Sequence, residues 1–153
     1  MNHDQIRAEA LAVENAIKTA NDRGCLAGLN ALQPVIIAGH RQAWSATFVL
    51  AHVCIAALRE TNPGSPDREL VLDADTWTTS STVKIRLVIE TPTARRTAAA
   101  MVNSLIRADL LGAHSVYSKA VVAAPCKDCF ILQVAHLLLH AVLSMTGTAA
   151  CPD

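Results

Sequence analysis

The sequence predicts an α+β or α/β fold, in which a helical N-terminal part is followed by a β-β-α-β-α part with a small mixed sheet covered by helices. Three observations predict it. Apolar residues recur at helical spacing in the first part, and the apolar period changes to two beyond a turn-rich segment at 62–67. The chain has 153 residues and is 52% hydrophobic, which is enough to bury one core. We therefore predict a single domain over 1–153, with a helical part at 1–61 and an α/β part at 68–147 joined by the loop 62–67.

Three helices are predicted in the helical part. Residues 4–23 carry apolar side chains at helical spacing, and the pair Arg23-Gly24 is a stop signal. Leucines at every third position after this pair predict a short second helix that ends at Pro34. The apolar run 35–37 fits either a short strand or a buried turn. A third helix is predicted over 40–60, largely buried because its polar positions fall on one narrow stripe.

Two strands open the α/β part. Residues 83–89 alternate apolar and polar side chains and form the clearest strand in the sequence. Residues 69–73 predict a partner strand, and the Thr- and Ser-rich run 76–82 joins the two as a long hairpin loop.

A helix, a strand and a final helix complete the prediction. Thr91-Pro92 opens the helix, because proline is tolerated in a first turn, and Gly112 stops it after about Leu111. Residues 116–123 predict a third strand that Pro125 ends, and the final helix covers about 127–145. A strand, a helix and a strand in succession indicate a right-handed parallel crossover.

The segment 125–129, with the sequence PCKDC, is the candidate site. Two thiols at the start of a helix lie near N–H groups that stabilise thiolates, which favours metal binding or redox chemistry. Cys126 and Cys129 are therefore the candidate metal ligands, with zinc as the candidate ion. The alternative is two half-buried thiols that pack a strand–helix junction. Further zinc ligands would come from other segments, the candidates being His40, His52 and His114.

Two histidines on the final helix follow this motif, in the spacing C-x2-C-x6-H-x3-H. On one helix His136 lies about 10 Å and His140 about 16 Å beyond Cys129, so all four side chains cannot bind one zinc ion. The stripe of Cys129, Gln133, His136, His140 and Ser144 is interpreted as the wetted side of an apolar helix. The alternative is a separate metal site at the two histidines, with ligands from elsewhere.

The element order over about 69–145, with P-C-x-x-C opening the last helix, resembles the zinc-dependent cytidine-deaminase fold. In that family the preceding helix opens with His/Cys-x-Glu, which supplies a zinc ligand and the proton shuttle. Thr93 and Arg95 stand at those positions here. Because arginine stays protonated, the resemblance implies a fold relative without the deaminase chemistry.

Composition bounds the function. Thirteen basic and thirteen acidic residues give no net charge, so no nucleic-acid partner is expected. Five scattered cysteines, with no secretory leader at Met1, predict a cytoplasmic protein with mostly reduced thiols. The apolar stretches 43–58 and 130–145 are shorter than a membrane span and are expected to be core helices, the alternative being a small membrane-associated protein.

We expect an alanine-rich, self-associating interaction or structural protein rather than an enzyme, whose apolar helices meet a second copy or a protein partner. The alternative is a metal-binding or thiol-redox protein that uses the motif at 125–129. The sequence alone does not decide between these two functions.

Overall fold

The computed structural model describes residues 3–67, 70, 72 and 92–145, and 87% of these are helical. No strand forms within these ranges, so the predicted α+β or α/β class is wrong there. The predicted strand 83–89 and loop 76–82 lie outside the described residues, as does most of the predicted strand 69–73. The described helices are α1 (His3–Arg23), α2 (Cys25–Ala38), α3 (His40–Thr61), α4 (Pro92–Ile106), α5 (Leu110–Ala123) and α6 (Lys127–Met145).

Helix α6 lies at the centre of the fold. It packs against α2, α3 and α4 and also contacts α1 and α5. Its residues are buried almost without interruption from Val134 to Leu143, and this stretch includes His136 and His140. The interpretation of those two histidines as the wetted side of the helix is therefore wrong, because neighbouring helices cover α6 on every side there.

Helices α1 and α2 pack closely at Gly28. A Cβ atom added there would lie 2.7 Å from the carbonyl oxygen of Ala16 and 2.7 Å from the Cβ of Ala20. Gly24 makes the turn between the two helices with a φ of 102°, a conformation that glycine adopts without steric cost. The predicted end of the first helix at Arg23 is confirmed.

Helix α2 continues through Pro34, where the sequence predicts its end, and includes the run 35–37. Proline removes the hydrogen bond to the carbonyl of Asn30. Both residues are exposed, so water can satisfy that carbonyl. Leu32 and Ile36 are buried on either side of the proline, and their packing holds the helix together.

The segment 116–123 is helical, although the sequence predicts a strand there. Ala113, Tyr117 and Val121 are buried on one face of α5, while Lys119, which a strand would place on the same face, is exposed. The preceding helix ends at Ile106 rather than at Gly112. Asp109 caps α5 by accepting the N–H of Gly112 at 2.9 Å.

The residues 62–67 between α3 and the second part are exposed, and Arg59 of α3 pairs with Asp67 across them at 2.9 Å. Beyond them, Asn103 of α4 holds Leu72 through two hydrogen bonds. Its Oδ1 accepts the N–H of Leu72 at 2.7 Å, and its Nδ2 donates to the carbonyl of Leu72 at 3.1 Å. The chain beyond the loop is thus fixed to α4 at this point.

Candidate redox site

The connection between α5 and α6 positions Cys126 and Cys129. Helix α5 ends at Ala123, and Pro125 follows, a residue that cannot continue the hydrogen bonding of a helix. The carbonyl of Cys126 accepts the N–H of Phe130 at 3.0 Å, which places Cys126 at the first turn of α6. The structure thus puts both sulfur atoms at the N-terminal end of α6, as the sequence predicts.

Cys126 and Cys129 are bonded to each other as a disulfide, and both residues are exposed. The Sγ of Cys126 accepts the backbone N–H of Cys129 at 3.2 Å. A capping Ser or Asp side chain makes the same hydrogen bond at a helix start. If the disulfide opens, this N–H and the helix dipole stabilise negative charge on the Cys126 sulfur.

The disulfide borders a pocket of about 540 Å³. Alanines of α5, Phe130 of α6 and the two cysteines form most of its wall, and none of the lining side chains is charged. The lining residues are Thr93, Ala120, Ala123, Ala124, Pro125, Cys126, Cys129, Phe130 and Gln133. A molecule in this pocket would meet both sulfur atoms.

Gln133 is, with Thr93, one of the two neutral polar side chains of the pocket wall. Its Oε1 is buried and accepts no hydrogen bond from the described residues. The sequence singled out Cys126 and Cys129 but missed this pocket. Gln133 lies one turn after Cys129 on the predicted helix, whereas the predicted strand at 116–123 gives no indication of the alanine wall of α5.

The predicted zinc ligands are not brought together. Within the described residues, no group of three or more His, Cys, Asp or Glu side chains could hold a metal ion, so the predicted zinc binding is wrong for this part of the chain. The ring of His114 stands against Trp44, with centroids 4.8 Å apart, and the ring of His52 stands against Phe48 at 4.5 Å. His40 lines a separate cavity of about 200 Å³.

The other described cysteines differ from this pair. Cys54 is a free thiol, fully buried in α3, and its burial raises its pKa to about 12. Cys25 is also fully buried and is disulfide-bonded. Of the described cysteines, Cys126 and Cys129 are thus the exposed ones, and their bond departs from the mostly reduced thiols that the sequence predicts.

Among the described helices, α6 is long and apolar enough to cross a membrane, and its most apolar 18-residue window has a mean hydropathy of 1.6. However, 72% of that window is buried within the protein. This burial is what the sequence predicts for a core helix.

Comparisons of the chain with protein-family models, with curated proteins and with solved structures find no match. They therefore leave the resemblance to the deaminase fold untested. Of the element order behind that resemblance, the helices starting at Pro92 and Lys127 are present, whereas the strand at 116–123 is helix α5.

Proposed function

We propose that the protein carries out thiol–disulfide exchange at Cys126 and Cys129. The observation that carries this proposal is the exposed disulfide at the start of α6, placed at the edge of an uncharged pocket. A disulfide that only holds a fold together needs neither exposure nor a pocket. Exposed disulfides are also more readily reduced than buried ones.

In the proposed reaction, a substrate thiolate attacks the Sγ of Cys126. The bond between the two cysteines breaks, and its electron pair leaves on the Sγ of Cys129, which takes a proton from water. A second thiolate of the substrate then attacks the substrate's sulfur in the mixed disulfide. The electron pair returns to the Sγ of Cys126, where the N–H of Cys129 stabilises it.

The net reaction converts a substrate dithiol and the protein disulfide into a substrate disulfide and the protein dithiol. It runs in reverse when the substrate arrives as a disulfide, so two substrates of different redox potential would exchange electrons through this pair. No further oxidant or reductant is needed, because each half-reaction is an exchange between thiols and a disulfide.

Single cysteine variants test the proposal. After reduction, Cys129→Ser should form a stable mixed disulfide through Cys126 with dithiodipyridine, and Cys126→Ser should react several times more slowly through Cys129. Both variants should lose the ability to couple dithiothreitol oxidation to reduction of a protein disulfide. Cys54→Ser is the matched control and should keep it. Equal reactivity of the two single variants, or no coupling by the unaltered protein, would contradict the proposal.

A second candidate is the self-associating interaction protein that the composition predicts. The observation that favours it is the start of α5, where Leu111 is 85% exposed and Leu110 is 51% exposed. Large apolar side chains exposed side by side favour contact with another copy of the chain. Light scattering should then give a dimer or larger assembly that Leu111→Glu dissociates, and a monomeric unaltered protein would contradict this candidate.

The remaining expectations stay predictions. A cytoplasmic location is one of them, and there a disulfide is most often transient and catalytic. The lack of a nucleic-acid partner is another.

A further inference from the structure

The pocket beside the disulfide selects against charge. Its wall is made of alanines, a proline, a phenylalanine and two neutral polar side chains. Lys127 and Asp128 lie between the two cysteines in sequence but do not line it. A charged group that entered would lose part of its hydration without gaining a charged partner, which is costly.

The pocket is also larger than a reacting sulfur needs. Its volume of about 540 Å³ is in the range of sites that hold whole small molecules. A substrate whose sulfur reaches Cys126 therefore has room to place a neighbouring apolar group against Ala123 and Phe130. Each methylene buried there raises affinity about fourfold.

One polar group in the wall remains to be satisfied. The Oε1 of Gln133 accepts no hydrogen bond from the described residues, and a buried acceptor left in this way destabilises the protein. A polypeptide that brings its cysteine to the disulfide carries backbone N–H groups close to that sulfur. Because the Oε1 of Gln133 is buried, its side chain would rotate towards the pocket to accept one such N–H, a donor that a simple alkyl thiol lacks.

Resting on the proposed function, we infer that the substrate of this disulfide is a cysteine in a polypeptide segment with apolar neighbours. The apolar neighbours fill the alanine-lined pocket, and a backbone N–H of the segment donates to Gln133. Small charged thiols such as glutathione are poor substrates on the same grounds.

The test uses the oxidised full chain and three capped tripeptides, Leu-Cys-Leu, Glu-Cys-Glu and Lys-Cys-Lys. For each peptide, the rate at which it opens the Cys126–Cys129 disulfide is divided by the rate at which it reacts with a small soluble disulfide. This ratio removes differences in acidity between the peptide thiols. We expect the Leu-flanked peptide to be at least tenfold faster than both charged peptides. If the negatively charged and the positively charged peptide are both slower, the uncharged pocket wall is the cause. A long-range electrostatic field would instead accelerate the peptide of one sign.

Two neighbouring variants of α5 locate the effect. Ala123 lines the pocket, and Val122 is exposed but does not line it. Ala123→Glu should abolish the preference for the Leu-flanked peptide, whereas Val122→Glu, with the same added charge, should retain it. Gln133→Leu should slow the Leu-flanked peptide several-fold more than it slows β-mercaptoethanol.

The possible results separate the inference from the proposed function. If the disulfide opens with dithiothreitol but reacts equally with all three peptides, the inference about the substrate is overturned and the exchange proposal stands. If Gln133→Leu slows β-mercaptoethanol as much as the peptide, Gln133 acts on the site itself and the polypeptide assignment is overturned. If no thiol opens the disulfide in the folded protein, the proposed function fails first.

Discussion

Replacing Gly28 by alanine tests how closely α1 and α2 pack. The added methyl group would lie 2.7 Å from the carbonyl oxygen of Ala16 and 3.1 Å from a methyl carbon of Leu139. Carbon atoms in good contact are about 3.5–4.0 Å apart, so α1 must move outward by close to 1 Å. Extra methyl groups in a packed core cost about 1–3 kcal/mol, and alanine recovers up to about 1 kcal/mol through its helix propensity.

The expected result for Gly28→Ala is therefore a free energy of unfolding lower by about 1–2 kcal/mol, and a melting temperature lower by about 2–8 °C. Urea unfolding followed by far-UV circular dichroism measures it. Gly39→Ala is the matched control, because its Cβ would meet the flexible end of Gln42 rather than backbone. A Gly28→Ala protein as stable as the unaltered chain would refute the close packing of α1 on α2.

Three further predictions concern α3 and α4. Burial and the nearby Arg59 lower the pKa of His52, so the unfolded chain binds a proton at His52 more readily than the folded protein does. The free energy of unfolding should therefore fall as the pH drops below about 6.5. Urea unfolding at several pH values measures this fall, which His52→Gln should reduce. Asn103→Ala removes both hydrogen bonds to Leu72 and should lower the free energy of unfolding by about 1–3 kcal/mol. The stability of Asn103→Asp should lie between that of Asn103→Ala and that of the unaltered protein. Cys54 should resist iodoacetamide until the protein unfolds, as alkylation followed by mass spectrometry would show, because its thiol is buried and its pKa is raised to about 12.

The long helices could be predicted from the sequence. Helices α1, α3 and α6 lie within a few residues of their predicted bounds, and α6 matches them. Each has a sustained apolar pattern and a distinct break beside it, such as Gly24 or Pro125. Such long periodic segments are the most reliable part of any sequence-based assignment.

The short apolar segments could not be assigned in the same way. Residues 35–37 and 116–123 are rich in Val and Ile, which occur in strands as readily as in buried helices. What decides for helix is the partner surface, since Tyr117 and Val121 pack into the core while Lys119, which a strand would bury with them, is exposed. A single sequence does not reveal that surface.

The candidate site was predicted in part. Its position at the start of α6 followed from local signals, namely Pro125 and the apolar run after Cys129. The pocket depends on α4 and α5, which bring Thr93 and Ala120 beside the disulfide. The approach of Thr93 is a tertiary contact between segments far apart in the chain, and the predicted strand at 116–123 places Ala120 on the wrong kind of element.

The most direct test of the central claim is a redox titration of the Cys126–Cys129 pair in the folded protein. The protein is equilibrated in buffers of graded ratios of reduced to oxidised dithiothreitol, and free thiols are alkylated and quantified by mass spectrometry. Cys54 serves as the internal control, because alkylation of its buried thiol would reveal unfolding. The account predicts one reversible two-electron transition with a midpoint above about −300 mV, as exposed disulfides show. A pair that is reduced only when Cys54 also becomes reactive would contradict it, because the disulfide would then open only when the protein unfolds.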